Sequence, residues 1–187
     1  MFEHLRALLV RPTFLLAAGI AIGALLAPSF GGSGAQGVTT YTRAVSCQGL
    51  AFQPNTDSAY TASGTLRSGA NGSYFICGVD LPHKAVVTRV RFTLLDSGSF
   101  GWVTNCALVR VGLEPASATA FQVMALVPTT SDSGSQIKRL ADTTIDFKTV
   151  DNTTFAYFLQ CQIQQGAPNA AGIYGADVTY KITAANG

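Results

Sequence analysis

The sequence predicts an all-β fold, an antiparallel β-sandwich of jelly-roll type with two disulfides. Three observations carry that prediction. Apolar and polar residues alternate with a period of two in several segments, the signature of half-buried strands. Gly, Ser, Asn and Pro cluster between those segments at near-even spacing. After residue 37 no long segment follows the 3.6-residue period of an amphipathic helix. Many short strands with no helices between them fold as sandwiches or barrels.

The chain starts with a segment outside that pattern. MFEHLRALLVRP carries Arg6 and Arg11, and TFLLAAGIAIGALLA, residues 13–27, is uncharged and almost wholly apolar. A basic start, a short apolar run and small residues after it read as a secretory signal peptide. The run is shorter than the roughly 20 residues that a membrane-spanning helix wants. Ser33 and Ala35 around Gly34 suit cleavage after Ala35; a site near Ala27 is the alternative, disfavoured by Pro28. No Cys adjoins the run, which argues against a lipid anchor. Residues 1–35 are thus expected to be signal peptide and flexible joint, and residues 36–187 a single domain, secreted or at the cell surface. Of 12 Lys and Arg the segment removes Arg6 and Arg11, and of 10 Asp and Glu it removes Glu3, which leaves a net charge of about +1. That is no footprint for nucleic acid or an anionic membrane.

Three strands read most clearly. In VVTRVRFTLL (86–95), Val86, Val90, Phe92 and Leu94 share one face and Arg89, Arg91 and Thr93 the other. In TFAYFLQCQIQ (154–164), Phe155, Tyr157, Leu159, Cys161 and Ile163 oppose Gln160, Gln162 and Gln164. In IYGADVTYKIT (173–183), Tyr174, Ala176, Val178, Tyr180 and Ile182 oppose Asp177, Thr179 and Lys181. One wet and one buried face is how antiparallel sheets read. Further strands are expected around 38–46, 73–79, 104–111, 120–127 and 143–148.

The four cysteines, Cys47, Cys77, Cys106 and Cys161, all fall in the expected mature domain. An even count in an exported chain implies two disulfides. Of the three pairings, Cys47–Cys77 with Cys106–Cys161 is the expected one, the second bridge lying between two strands and therefore buried or cross-sheet. There is no C-x-x-C spacing and one His in the mature domain, so a Cys/His zinc site is not expected, and no cofactor motif is present.

Asp96-Ser97-Gly98-Ser99 ends an apolar run, and the tetrapeptide returns at Asp132-Ser133-Gly134-Ser135. An apolar strand followed by Asp-Ser-Gly-Ser is the active-site loop of aspartic proteases, where two adjacent carboxylates share a proton. At this length only a dimer with one Asp96 per subunit would serve, with Ile173-Tyr174-Gly175 as the supporting segment. Against this, VPTTS before the second tetrapeptide is no apolar strand, and no Gly-rich flap hairpin follows Asp96. Asp, Ser and Gly are also ordinary turn residues. The expectation is two hairpin turns and no enzyme.

Other candidates are sparser. His83 in LPHKA is the one mature His, and no G-x-S-x-G elbow accompanies it. Glu114 is the one mature Glu and has no obvious carboxylate partner. Asp142, Asp146 and Asp151 could meet a calcium ion but match no EF-hand, and no metal is expected. Asn71-Gly72-Ser73 and Asn152-Thr153-Thr154 are glycosylation acceptors in form. Phe100 and Trp102, beside the first DSGS, offer aromatic surface for a ligand or partner.

Three segments taken together, YFICGVDLPHKAVVTRVRFTLLDSGS (74–99), LADTTIDFKTVDNTTFAYFLQC (140–161) and IYGADVTYKI (173–182), resemble an uncharacterised family of small exported bacterial β-sandwich proteins. The shared pattern is V-x-LP-x-GA-x-VT leading into a strand, a turn with D-S/N, then D-T-T-I, V-D-N with A-Y, and a terminal Y-G…Y strand. This chain departs from it at His83-Lys84-Ala85, where the pattern has Gly before Ala. The resemblance implies a small secreted sandwich and supplies no catalytic residues. With few charges and wet faces rich in Thr, Ser and Gln, the chain reads as a non-enzymatic structural or binding module. Its expected partners are further copies of itself or another extracellular macromolecule. A carbohydrate-binding domain using Phe100 and Trp102 is the alternative, and a dimeric aspartic-protease-like hydrolase the more distant one.

Overall fold

The computed structural model describes residues 38–55, 60–62, 66–68, 72–96, 101–114, 121–128, 136–165 and 170–185. The expected signal peptide, Phe100, Asn71, residues 97–99 of the first DSGS and all of the second lie outside them. Among the described residues no helix is long and apolar enough to cross a membrane.

The strands in chain order are β1 (Val38–Gln48), β2 (Gln53–Pro54), β3 (Tyr60–Ala62), β4 (Leu66–Ser68), β5 (Ser73–Gly78), β6 (Val86–Asp96), β7 (Gly101–Gly112), β8 (Phe121–Val127), β9 (Gln136–Asp142), β10 (Phe155–Gln165) and β11 (Ala171–Ala185). One 3-10 turn, Gly49–Ala51, follows β1. The first sheet runs β9-β6-β11, with β1 and the short β3–β4 pair along the far side of β11. The second runs β8-β7-β10-β5-β2. Every pairing is antiparallel.

The nesting of those pairs defines the fold. β7 pairs with β8, β6 with β9, β5 with β10 and β1 with β11, so the chain is one long hairpin. Rolling the hairpin up adds the β6–β11 and β7–β10 pairings and closes two facing sheets, which is a jelly roll. The expected fold class is therefore the observed one. The strands that flank each DSGS segment do not pair as a hairpin, however. β6 and β7 lie in different sheets, as do β8 and β9, so both connections arch from one sheet to the other. Of the four nested pairs only the innermost, β7–β8, joins neighbours in sequence.

The core lies between the sheets. Phe52, Phe75 and Leu159 come from the second sheet's side and Phe92, Leu94 and Ile173 from the first, all at 2% exposure or less. Each such side chain contributes about 1.5–3 kcal/mol by leaving water. The alternation of β10 is as expected. β6 and β11 hold it only over part of their length. The β6–β11 register shifts between Thr179 and Tyr180 and again between Ile173 and Gly175. A bulge advances the side-chain phase by one residue, so Val87 is in the core in place of Val86, and Ile173 in place of Tyr174. A Cβ on Gly175 would sit 2.9 Å from the Cys47 carbonyl oxygen, and one on Gly49 would collide with that of Ile173. Close packing of β1 on β11 thus accounts for Ile173-Tyr174-Gly175.

Both disulfides are those expected. Cys47–Cys77 ties β1 in one sheet to β5 in the other. Cys106–Cys161 joins neighbouring strands of the second sheet and is fully buried; it is not cross-sheet. It lies at a bulge where Asn105 takes φ 50°, a left-handed conformation that Asn tolerates better than most residues. Asn105 Nδ2 donates to Gln162 Oε1 at 2.9 Å, and Gln162 Nε2 donates to the Gly72 carbonyl at 3.0 Å, which pins the bulge.

The expected strand at 143–148 is a pair of turns. Asp142 Oδ1 accepts from the Thr144 N–H at 2.7 Å, and Asp146-Phe147 turns with Phe147 at φ 48°. The strand of this region is β9, just upstream. Lys84 takes a φ of 63° in the LPHKA turn. A left-handed backbone costs a non-Gly residue about 1–2 kcal/mol, partly offset in a Gly variant by the freer unfolded chain. Lys84→Gly is therefore expected to stabilise the domain by about 0.5–1 kcal/mol in urea unfolding; a loss of stability would refute this account of the turn.

Candidate functional site

At the end of the sandwich where β6 leaves for β7, the core-facing phase of Val90, Phe92 and Leu94 continues to Asp96, which is 3% exposed. Lys138, on the neighbouring β9, places Nζ 3.2 Å from Asp96 Oδ2, and both side chains are nearly buried. Asp96 is thus engaged by a cation from its own chain. Its backbone partner across β9 is Gln136, so the connections holding the two DSGS tetrapeptides leave the same end of the first sheet.

The opposite end brings the LPHKA and VDNTT segments together. Lys84 N–H donates to the Val150 carbonyl and Val150 N–H to the Ala85 carbonyl, both at 2.8 Å, so LPHKA lies along VDNTT. His83 Nδ1 accepts from the Asn152 N–H at 3.2 Å and lies 3.8 Å from Asp151 Oδ1. Asn152 Nδ2 donates to the Leu81 carbonyl, and the Tyr157 hydroxyl oxygen accepts from the Asp151 N–H, each at 2.7 Å. These groups build a turn against a groove of about 320 Å³ between Val79–Leu81 and Phe155–Tyr157. The Asp151 carboxyl titrates below its usual value of 3.8, chiefly because the Thr153 hydroxyl donates to its charged form, with Thr154 next. The unfolded chain takes up this proton more readily. The turn's contribution to stability is thus present above about pH 4 and lost as pH falls through the lowered folded value.

The three aspartates proposed for calcium do not converge. Asp142 is spent on the Leu126 and Thr144 N–H groups and Asp151 on Thr153. Among the described residues no three of His, Cys, Asp and Glu gather where a cation would bind. Glu114 is exposed just beyond β7.

The outer face of the second sheet carries a feature that the sequence did not reveal. Past the Asn105 bulge, Ala107, Val109 and Val111 point outward from β7. The register sets them beside Leu126, Val123 and Phe121 of β8 and Gln160, Phe158 and Ala156 of β10. Phe121, Val123 and Leu126 are 51%, 39% and 53% exposed, while Val109 beneath them is fully covered. The Phe121 and Phe158 rings pack with centroids 6.1 Å apart. None of these nine residues is charged. Trp102 shares this face near its far end, opposite Gln164 and 36% exposed, so it sits on a strand and neither closes a hairpin nor enters the core. One signal was available in the sequence: in FAYFLQCQIQ the face that carries the three glutamines begins with Ala156 and Phe158.

No model of a known protein family matches the chain, and no curated protein matches it.

Proposed function

We propose that this chain is an exported, non-enzymatic module that associates with further copies of itself through the outer face of its second sheet. The observation that carries the reading is the uncharged patch of Phe121, Val123, Leu126 and Phe158. A large exposed apolar patch on a soluble domain marks an interaction surface. Two copies meeting on it bring no like charges together. The face is favoured over the edge of β8 because that edge is already covered: Asp142 Oδ2 accepts from the Leu126 N–H at 3.1 Å and the Met124 carbonyl accepts from the Asp146 N–H at 2.8 Å. Two disulfides suit an oxidising, extracellular setting. The burial of Asp96 beside Lys138 supports a structural role for the DSGS residue most like a catalytic one.

Light scattering on the oxidised mature domain across a hundredfold range of concentration tests this. The mass should rise above that of the monomer, and Phe121→Asp with Leu126→Asp should hold it at the monomer without lowering Tm. A wild-type domain that stays monomeric throughout would overturn the reading.

A further inference from the structure

We propose that Arg110 is the centre of a binding site for a carboxylated sugar, at the end of the sandwich that carries the LPHKA and VDNTT turns. Arg110 continues the core-facing phase of Cys106 and Leu108 to the last turn of β7. Its guanidinium carbon lies 4.0 Å from the centroid of the Phe147 ring and 4.1 Å from that of Phe155. Nε donates to Gln122 Oε1 at 2.7 Å. That bond uses one edge of the planar group and orients it. Among the described residues no protein group bonds the terminal N–H pair, and no carboxylate lies within ion-pair distance. Arg110 lines a groove of about 470 Å³ together with Ile145, Asp146, Phe147, Lys148 and Thr149.

Three features specify the ligand. A guanidinium packed on two aromatic rings, with its terminal N–H groups bonded to no described residue, matches a carboxylate through two parallel hydrogen bonds. Phe147 keeps a left-handed φ of 48° while its ring is 51% exposed. Strain of that kind in a bulky residue persists where the surroundings impose it, and it collects at ligand sites. Its effect is to hold a flat apolar ring beside the cation, where the C–H face of a pyranose can stack. Asp146 would repel a polyanion, but it accepts hydrogen bonds from neutral hydroxyls, and Lys148 and Thr149 donate to them. One carboxylate with neighbouring hydroxyls on an apolar-faced ring is a uronic acid. This site is separate from the apolar face of the second sheet and does not depend on self-association.

The test titrates a uronic-acid trisaccharide, its neutral counterpart and sodium acetate into the oxidised mature domain, at matched ionic strength, with NMR on backbone amides and the Arg110 side chain. The uronate should shift Arg110 and residues 145–149 saturably, and at least about tenfold more tightly than the neutral sugar or acetate, the ratio expected for charge-assisted hydrogen bonds reinforced by hydroxyl contacts. Arg110→Gln should weaken uronate binding by about tenfold or more. Because Arg110→Gln also removes packing, Phe147→Gly is the second variant: it should weaken binding several-fold without lowering Tm, since Gly relieves the left-handed strain. No uronate binding, equal binding of the neutral sugar, shifts confined to another surface, or unchanged binding in both variants would each overturn the proposal.

Discussion

Lys138→Ala is expected to cost about 3–5 kcal/mol in denaturant unfolding, because it leaves the Asp96 carboxylate buried without its cation. The side chains of the pair are 5% and 9% exposed, and Nζ stands 3.2 Å from Oδ2. Desolvating two charges is expensive, and their mutual attraction offsets that cost only while both are present. Removing the whole pair should behave differently. Asp96→Leu with Lys138→Met exchanges two buried charges for apolar groups of similar volume. It is expected to lie between neutral and about 4 kcal/mol more stable than wild type. The comparison separates a buried pair from a surface one. If Lys138→Ala costs less than about 1 kcal/mol, the pair behaves as a solvated surface pair and this account of its burial fails.

Cys106→Ala with Cys161→Ala is expected to have a similar effect, about 4 kcal/mol. The bridge closes a loop of 55 residues in sequence, and the chain-entropy relation gives about that figure for a loop of that length. Both residues are fully buried, so the replacements also leave a void at the bulge. The measurement is the urea midpoint of the double variant against the oxidised wild type, with the slope checked for a change in the unfolded state. A midpoint unchanged by the substitution would mean that the Gln162 network holds the bulge by itself.

How far the fold could be read in advance depended on how local each signal was. The disulfides were legible because cysteine count and compartment constrain them before any geometry. The face of β10 from Tyr157 to Ile163 was legible because that strand keeps one phase on its core side. β9 was not, and Lys138 is the reason: a lysine at a core-facing position breaks the apolar alternation of QIKRLAD, and only its partner Asp96, 42 residues earlier, makes sense of it. Val86 and Tyr174 were placed on the wrong face because bulges, which depend on the partner strand, shift the phase. The strands around the DSGS segments were expected to pair as hairpins because turn residues report a change of direction and not which sheet receives the next strand. Arg110, Phe147 and Phe155 meet only in three dimensions, so nothing in their spacing announces them.

The rolled hairpin also fixes an order of events. Its first strand pairs with its last, Val38 against Ala185 and Gln48 against Gly175. A polypeptide synthesised from its N-terminus therefore presents β1 long before β11 arrives to receive it. The innermost pair can close at once, and each outer pair waits for more of the tail, which makes this a slow-folding topology of distant contacts. Cys77, by contrast, follows Cys47 by only 30 residues. Both ends of that bridge precede β11 in the chain, so oxidation can tether β1 to β5 before the C-terminal strand is present to complete the sheet.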